Sequence, residues 1–165
     1  MPTPFTAVHP AEIPAAYHKP IGQLVVRWGV TELYLQSIIW HVWNITDPKV
    51  ARLLTWELRA EAKVSLFRML PRRWVADPGD KAELQALASA ADGLRSKRNL
   101  VAHGLWGHKP GEPKTLRILK IRGETRILPK SEVVTAKDIA AWATELSQVN
   151  KRLIALHRKL GAPAP

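Results

Sequence analysis

The sequence predicts an all-α fold, a four-helix bundle with a small β-hairpin between the third and fourth long helices. Three observations lead to this prediction. Apolar residues recur at intervals of three and four along four long segments. Proline, glycine and turn-forming residues separate these segments, and one stretch near residue 120 alternates between apolar and polar residues. At 165 residues the chain suits one domain with its own apolar core.

Residues 1–20 contain five prolines, which predict an extended arm without a stable helix. The first helix is predicted over residues 21–44. Its apolar stripe consists of Ile21, Leu24, Val25, Trp28, Leu35, Ile38, Ile39 and Val42. The second helix is predicted over residues 48–70, beginning at Pro48 after Asp47. Its stripe consists of Val50, Leu53, Leu54, Val64, Phe67 and Leu70.

The third helix is predicted over residues 78–104, with Gly104 as a left-handed stop. Its apolar stripe consists of Leu84, Leu87, Ala91, Leu94, Val101 and Leu105. The hairpin is predicted at about residues 114–129, with a tight turn at 122–124. The fourth helix begins at Thr135, where Asp138 completes an approximate capping box. These elements define a helical domain over residues 21–160, followed by a tail at 161–165 that we expect to be disordered.

The charge of the chain points to a polyanionic partner. The formal net charge is +11, and residues 95–130 carry ten Lys/Arg against two Glu, a local net charge of +8. Charge concentrated in one segment favours RNA or a nucleotide over general solvation. The chain has no cysteine, which excludes disulfides and thiolate chemistry. No secretory signal or membrane-length apolar run is visible, so we expect a cytoplasmic protein and no membrane partner.

The most informative segment is the end of the third predicted helix, residues 94–104. Arg98 can hold a phosphate with its planar fork of donors, and His103 can move protons near neutral pH. Asn99 lies one helical turn before His103 and can contact it. Arg98 and His103 point about 140° apart on a straight helix. Both can face one cleft only if the helix end loosens at Gly104 or a twin subunit supplies the second half.

Structural interpretations of these residues remain open. Arg98 interrupts the apolar stripe of the third helix, and Glu32 interrupts that of the first helix. In one interpretation the two side chains pair with each other and only fix the packing. Alternatively, Glu32 orients Arg98 toward a phosphate. His103 can be a helix cap rather than a catalyst.

The basic residues around the motif are candidates for RNA binding. They are Arg95, Lys97, His108, Lys109, Lys114, Arg117, Lys120, Arg122 and Arg126. Those of the hairpin can instead keep an exposed edge soluble. Trp106 can stack a base, although core packing is the more ordinary role for a tryptophan. No histidine spacing indicates a metal site, and no glycine-rich phosphate loop is present.

The run Arg98-Asn99-Leu-Val-Ala-His103-Gly104, late in a predicted helix, resembles the HEPN superfamily (higher eukaryote and prokaryote nucleotide-binding domains). That superfamily is marked by an arginine, four to six residues and a histidine, often with a polar residue after the arginine. Gly22, Trp28 and Glu32 of the first helix add to the resemblance, which covers residues 20–160 by architecture.

The resemblance implies a homodimeric endoribonuclease that needs no metal or other cofactor. Arg98 would bind the scissile phosphate, His103 would move a proton, and Asn99 would orient His103 or the phosphate. Such proteins often act as toxins or in phage defence, which makes an antitoxin protein a candidate partner. Other members bind RNA or nucleotides without cutting them. A purely structural interaction module, with Glu32 and Arg98 as a core pair, is the third interpretation.

Overall fold

A computed structural model describes residues 5–55, 57–73, 77–119 and 131–161. Most of these residues are helical, and the helical class is confirmed. The described residues form the helices α1 (Ala15–Val42), α2 (Pro48–Thr55), α3 (Ala60–Arg73), α4 (Pro78–His103) and α5 (Ala136–Lys159). Their strands are β1 (Thr6–Ala7), β2 (Leu105–His108), β3 (Arg117–Leu119) and β4 (Ser131–Val133). None of the described helices is long and apolar enough to cross a bilayer.

The strands form one antiparallel sheet in the order β1-β2-β3-β4. Leu105 pairs with Leu119 and Gly107 pairs with Arg117, which fixes the register of β2 against β3. The sheet is larger than the predicted hairpin, because β1, β2 and β4 were not expected to be strands. The turn predicted at 122–124, and the strand predicted after it, lie outside the described residues.

The chain divides into two compact units. Unit 1 takes the described residues of Met1–Val25 and Ser96–Ala143, and unit 2 takes those of Val26–Arg95 and Thr144–Pro165. Unit 1 therefore holds the sheet and the Arg98–His103 segment. Unit 2 holds α2, α3 and a polar network in which Thr31 donates to the Asn150 Oδ1 atom over 2.7 Å.

Helix α1 begins at Ala15, so the prediction of an arm without helix is wrong for residues 15–20. Pro20 lies inside the helix and is buried. It is the sixth residue of the helix and therefore removes the N–H that would bond the Ala16 carbonyl. The helix ends as predicted near Asn44, whose φ of 55° and hydrogen bond to the His41 carbonyl stop the helix with a left-handed residue.

The predicted helix over 48–70 is two helices, α2 and α3. The Thr55 hydroxyl donates to the Ala51 carbonyl over 2.9 Å, and the Leu58 N–H turns back to the Thr55 carbonyl. A threonine bonded to its own helix favours a helix end over continuation. Helix α2 buries Ala51 and Thr55, whereas the predicted stripe is exposed at Val50, Leu53 and Leu54.

Helices α4 and α5 have the predicted bounds and caps. Asp77 accepts from the Asp80 N–H over 2.8 Å at the start of α4. Thr135 and Asp138 exchange hydrogen bonds at the start of α5, which confirms the capping box. The predicted stripe of α4 is buried at Leu84, Leu87, Ala91 and Leu94, and the apolar residues of α5 that recur at helical spacing are buried at Ile139, Leu146 and Leu153. Leu105 of the predicted α4 stripe and Val25 of the predicted α1 stripe are instead exposed.

Candidate functional site at the end of α4

The three motif residues meet at the last turns of α4. The Arg98 Nη1 atom donates to the Asn99 Oδ1 atom over 2.9 Å. The same nitrogen lies 3.5 Å from the His103 Nε2 atom, the outer limit of a hydrogen bond. His103 is exposed, and Arg98 and Asn99 are half-buried. The site therefore presents a guanidinium beside an accessible imidazole.

This contact corrects the prediction that Arg98 and His103 meet only if the helix loosens or a second subunit takes part. The Gly104 N–H still bonds the Leu100 carbonyl over 2.9 Å, so the last helical hydrogen bond is intact. The angle of about 140° describes the directions in which the side chains leave the helix. The long arginine side chain crosses that angle and brings its tip to the histidine.

The contact also defines what the two groups can do. A guanidinium only donates, so the His103 Nε2 atom is the acceptor in this contact, and a neutral ring carries its proton on Nδ1. Asn99 uses its carbonyl oxygen on Arg98, and its role here is to orient Arg98 rather than His103. An anion near Arg98 would meet a fixed fork of donors beside a proton acceptor.

Gly104 is needed for close packing and not for a left-handed stop. Among the described glycines, Gly111 and Gly161 have a positive φ, and Gly104 does not. A Cβ atom at this position would lie 2.2 Å from the Ile118 Cγ2 atom and 2.4 Å from the Leu100 carbonyl oxygen. The glycine lets the chain pass from His103 directly into β2 against β3.

Trp106 belongs to the core, so its assignment to RNA contact is not supported. Its ring is 8% exposed, and its Nε1 atom donates to the Val101 carbonyl over 3.1 Å. The Tyr17 ring meets it edge-on at 5.8 Å, and the Tyr17 hydroxyl donates to the Val134 carbonyl. A base cannot stack on a ring that is covered in this way. Trp106 instead anchors β2 to the last turns of α4.

Two basic residues of α4 that were assigned to RNA binding have partners within the protein. Arg95 binds Asp92 over 2.9 Å and Glu61 over 3.9 Å, and 16% of its side chain is exposed. The Lys97 ammonium lies 5.7 Å from the centre of the Trp142 ring, a cation–π contact. The spacing of Asp92 and Arg95 was a readable signal of an intrahelical pair that the sequence analysis missed.

The lowered pKa of Asp92 makes the stability of the fold depend on pH. Burial tends to raise the pKa of Asp92, but hydrogen bonds from Arg95 and Arg68 outweigh it and lower the pKa below the ordinary value of 3.8. A lowered carboxyl pKa stabilises the fold above the ordinary pKa, and the contribution is lost as the pH falls through the folded pKa. We expect the free energy of unfolding to fall toward about pH 3, by no more than about 1 kcal/mol from this group.

Urea unfolding of the wild type and of Asp92→Asn, at about pH 6 and about pH 3, measures this contribution. The variant should be less stable at the higher pH and should lose less stability on acidification. An equal loss in both proteins would contradict the role of Asp92.

The loop between β2 and β3 carries further candidate residues. The Glu112 N–H bonds the Lys109 carbonyl and Gly111 has a φ of 83°, so Lys109-Pro-Gly-Glu112 is a type II turn. The Pro-Gly pair is a signal for this hairpin that the sequence analysis did not use. Lys114 is exposed, and the His108 Nδ1 atom lies 3.3 Å from the Lys109 carbonyl.

Arg117 is on β3, and its Nη2 atom donates to Glu112 over 2.9 Å. This hydrogen bond lowers the pKa of Glu112. Lys120, Arg122 and Arg126 lie outside the described residues. The described basic residues of the hairpin are therefore Lys109, Lys114 and Arg117, and the last has a carboxylate partner.

In unit 2, Glu32 lies 3.9 Å from the Lys63 ammonium. The predicted pairing of Glu32 with Arg98 stays a prediction. The part of the chain that the structure describes contains no cluster of three histidine or acidic side chains able to hold a metal ion. Comparisons of the chain with models of known families, with curated proteins and with solved structures find no match.

Proposed function

We propose that this protein is an endoribonuclease of the HEPN type that cleaves RNA without a metal ion. The observation that carries the proposal is the triad in which one Arg98 nitrogen meets both the Asn99 Oδ1 and the His103 Nε2 atoms. It combines an anion-binding group, a residue that orients this group and a proton acceptor at the end of α4. The net charge of +8 over residues 95–130 supports a polyanionic substrate.

In the proposed reaction, phosphate binding draws the Arg98 guanidinium toward the scissile group and releases the His103 Nε2 atom. His103 then takes the proton of the RNA 2′-hydroxyl as the 2′-oxygen attacks phosphorus. Arg98 stabilises the negative charge that develops on the phosphoryl oxygens. The bond from phosphorus to the 5′-oxygen breaks and this oxygen takes a proton from water, which yields a 2′,3′-cyclic phosphate and a 5′-hydroxyl. The protonated His103 returns its proton to the solvent. Water can open the cyclic product to a 3′-phosphate.

The proposal includes a homodimer, in which a second copy covers an apolar surface. The surface on α2 formed by Val50, Leu53 and Leu54 suits such a contact, since these side chains are 45%, 79% and 51% exposed. The mass of the protein in solution tests this part of the proposal. A toxin or phage-defence role, and an antitoxin partner, follow only if the ribonuclease is confirmed.

The direct test is cleavage of single-stranded RNA in EDTA by the wild type and by Arg98→Ala. We expect the wild type to produce cyclic-phosphate ends, and the variant to be slower by about a hundredfold or more because it lacks the group that stabilises the developing charge. Arg158→Ala is the matched control, since Arg158 is an exposed arginine on α5. A folded wild type that cleaves no RNA, or an Arg98→Ala protein that cleaves equally well, would contradict the proposal.

The second candidate function is an RNA- or nucleotide-binding module without catalysis. One observation favours it: the His103 Nε2 atom faces an Arg98 donor and is not free to accept a proton while that contact lasts. In this case Arg98→Ala weakens salt-sensitive binding, and neither protein turns RNA over.

A further inference from the structure

The outward face of the sheet is an unassigned surface beside the candidate site. Side chains alternate between the two faces of a strand. Trp106 and Ile118 share the inward face and are 8% and 0% exposed. The outward face therefore carries two rows across β2, β3 and β4. The first row is Leu105, Leu119 and Ser131, and the second is Gly107, Arg117 and Val133.

Both rows are largely apolar, and each contains one exposed apolar side chain. Leu105 is 38% exposed and Val133 is 49% exposed, Leu119 is half-buried, and 16% of the Arg117 side chain is exposed beside its partner Glu112. Gly107 has no side chain, and its Cβ position lies 2.5 Å from the Phe5 ring, so the Phe5 ring occupies that place. The second row thus places an aromatic ring, a guanidinium and a valine side by side.

The face adjoins the motif through the chain itself. Leu105 is two residues after His103, a distance of about 7 Å along an extended chain. Gly104 holds this connection against β3 because its Cα faces the Ile118 side chain and the Leu119 carbonyl. The row that contains Leu105 is therefore closer to His103 along β2 than the row that contains Gly107 and Arg117.

We propose that this face binds unpaired nucleotides that flank the scissile phosphate, so that the substrate is single-stranded RNA. Unstacked bases pack on Leu105, Leu119 and Phe5, and Arg117 binds a phosphate between them. RNA rather than protein is the chosen partner because the charged side chain of the two rows is a cation, and because Lys109 and Lys114 extend the positive charge along the adjoining loop. A base-paired segment cannot present its bases to such a surface.

Glu112 regulates this face. Its carboxylate accepts from the Arg117 Nη2 atom over 2.9 Å and so competes with a phosphate for the same donor. Glu112→Gln should therefore tighten RNA binding about two- to threefold. Glu132→Gln, which removes an exposed carboxylate of β4 whose partner across the sheet is the inward-facing Ile118, is the matched control. If both variants gain RNA affinity equally, the effect comes from net charge, and the proposed role of Arg117 in phosphate binding is wrong.

The main test measures binding of a short single-stranded RNA and of a duplex of the same length, by fluorescence anisotropy, in the His103→Ala background that prevents turnover. Leu105→Glu should weaken single-strand binding about tenfold or more, because it places a carboxylate among the bases and phosphates. Val26→Glu is the matched control, since Val26 is a 69% exposed residue of α1. Wild-type-like binding by Leu105→Glu, or tighter binding of the duplex, would overturn the inference.

The inference builds on the proposed function, but the two can fail separately. If Leu105→Glu weakens binding while the wild type cleaves nothing, the surface stands and the ribonuclease fails. If the wild type cleaves RNA and Leu105→Glu cleaves and binds it equally well, the ribonuclease stands and the surface fails. If Leu105→Glu changes only the mass of the protein in solution, the face is a protein interface and not an RNA surface.

Discussion

His103→Ala is expected to lower the rate of RNA cleavage by about two to four orders of magnitude, the range over which a positioned acid or base contributes. The effect should appear in kcat, because His103 is proposed to act on the 2′-hydroxyl after the substrate has bound. Binding of RNA should change little, since the guanidinium of Arg98 and its hydrogen bond to Asn99 remain. Single-turnover cleavage and anisotropy measured on the same RNA separate the two effects.

Two controls make this prediction specific. His18→Ala removes an exposed histidine of unit 1 whose Nε2 atom lies 3.0 Å from the Ile13 carbonyl, and it should leave cleavage unchanged. Added imidazole should restore part of the activity of His103→Ala, because a small base can enter an exposed site. Equal losses in both histidine variants, or cleavage by His103→Ala at the wild-type rate, would remove His103 from the mechanism.

The elements predicted well from the sequence are those whose bounds depend on nearby residues. The start of α5 is fixed by Thr135 and Asp138, three residues apart, and the start of α4 by Asp77. Strand β2 could not be predicted in this way. It has four residues, and its partners β1 and β3 are brought to it by the tertiary fold. Such short strands carry too little alternation to be recognised.

The candidate site shows the same division between local and distant information. The motif positions Arg98, Asn99 and His103 were predicted, because a helical stretch and its end can be read locally. The contacts between these side chains were not predicted. Helical geometry gives the direction in which each side chain leaves the helix, but it does not show how far the long Arg98 side chain extends toward His103. The burial of Trp106 depends on Tyr17, which lies far away in the sequence.

The exposed apolar stripe of α2 shows a third limit of prediction from sequence. Val50, Leu53 and Leu54 have the spacing of a buried face, and the structure exposes them while it buries Ala51 and Thr55. Apolar periodicity predicts that a face will be covered, but it does not say whether the same chain or a second molecule covers it. The prediction of a helix here is correct, and the prediction of its buried side is wrong.

Gly104→Ala is expected to destabilise the protein by about 3 kcal/mol, the upper part of the usual range for added volume in a packed region. The new Cβ atom would meet the Leu100 carbonyl oxygen at 2.4 Å and the Ile118 Cγ2 atom at 2.2 Å. The first is backbone, and the second belongs to a fully buried β-branched side chain with few alternative rotamers. To remove these two steric clashes, β2 must move away from β3 and from the last turn of α4.

Gly93→Ala is the control for this prediction, because Gly93 lies in the same helix, is exposed, and has no atom within 4 Å of its Cβ position. Alanine there should stabilise the helix by up to about 1 kcal/mol, so urea unfolding should move the two variants in opposite directions. Loss of β2 packing would also shift the backbone that follows His103, so Gly104→Ala should reduce RNA cleavage even where the protein stays folded. A Gly104→Ala protein as stable as the wild type would show that β2 does not pack closely against Ile118.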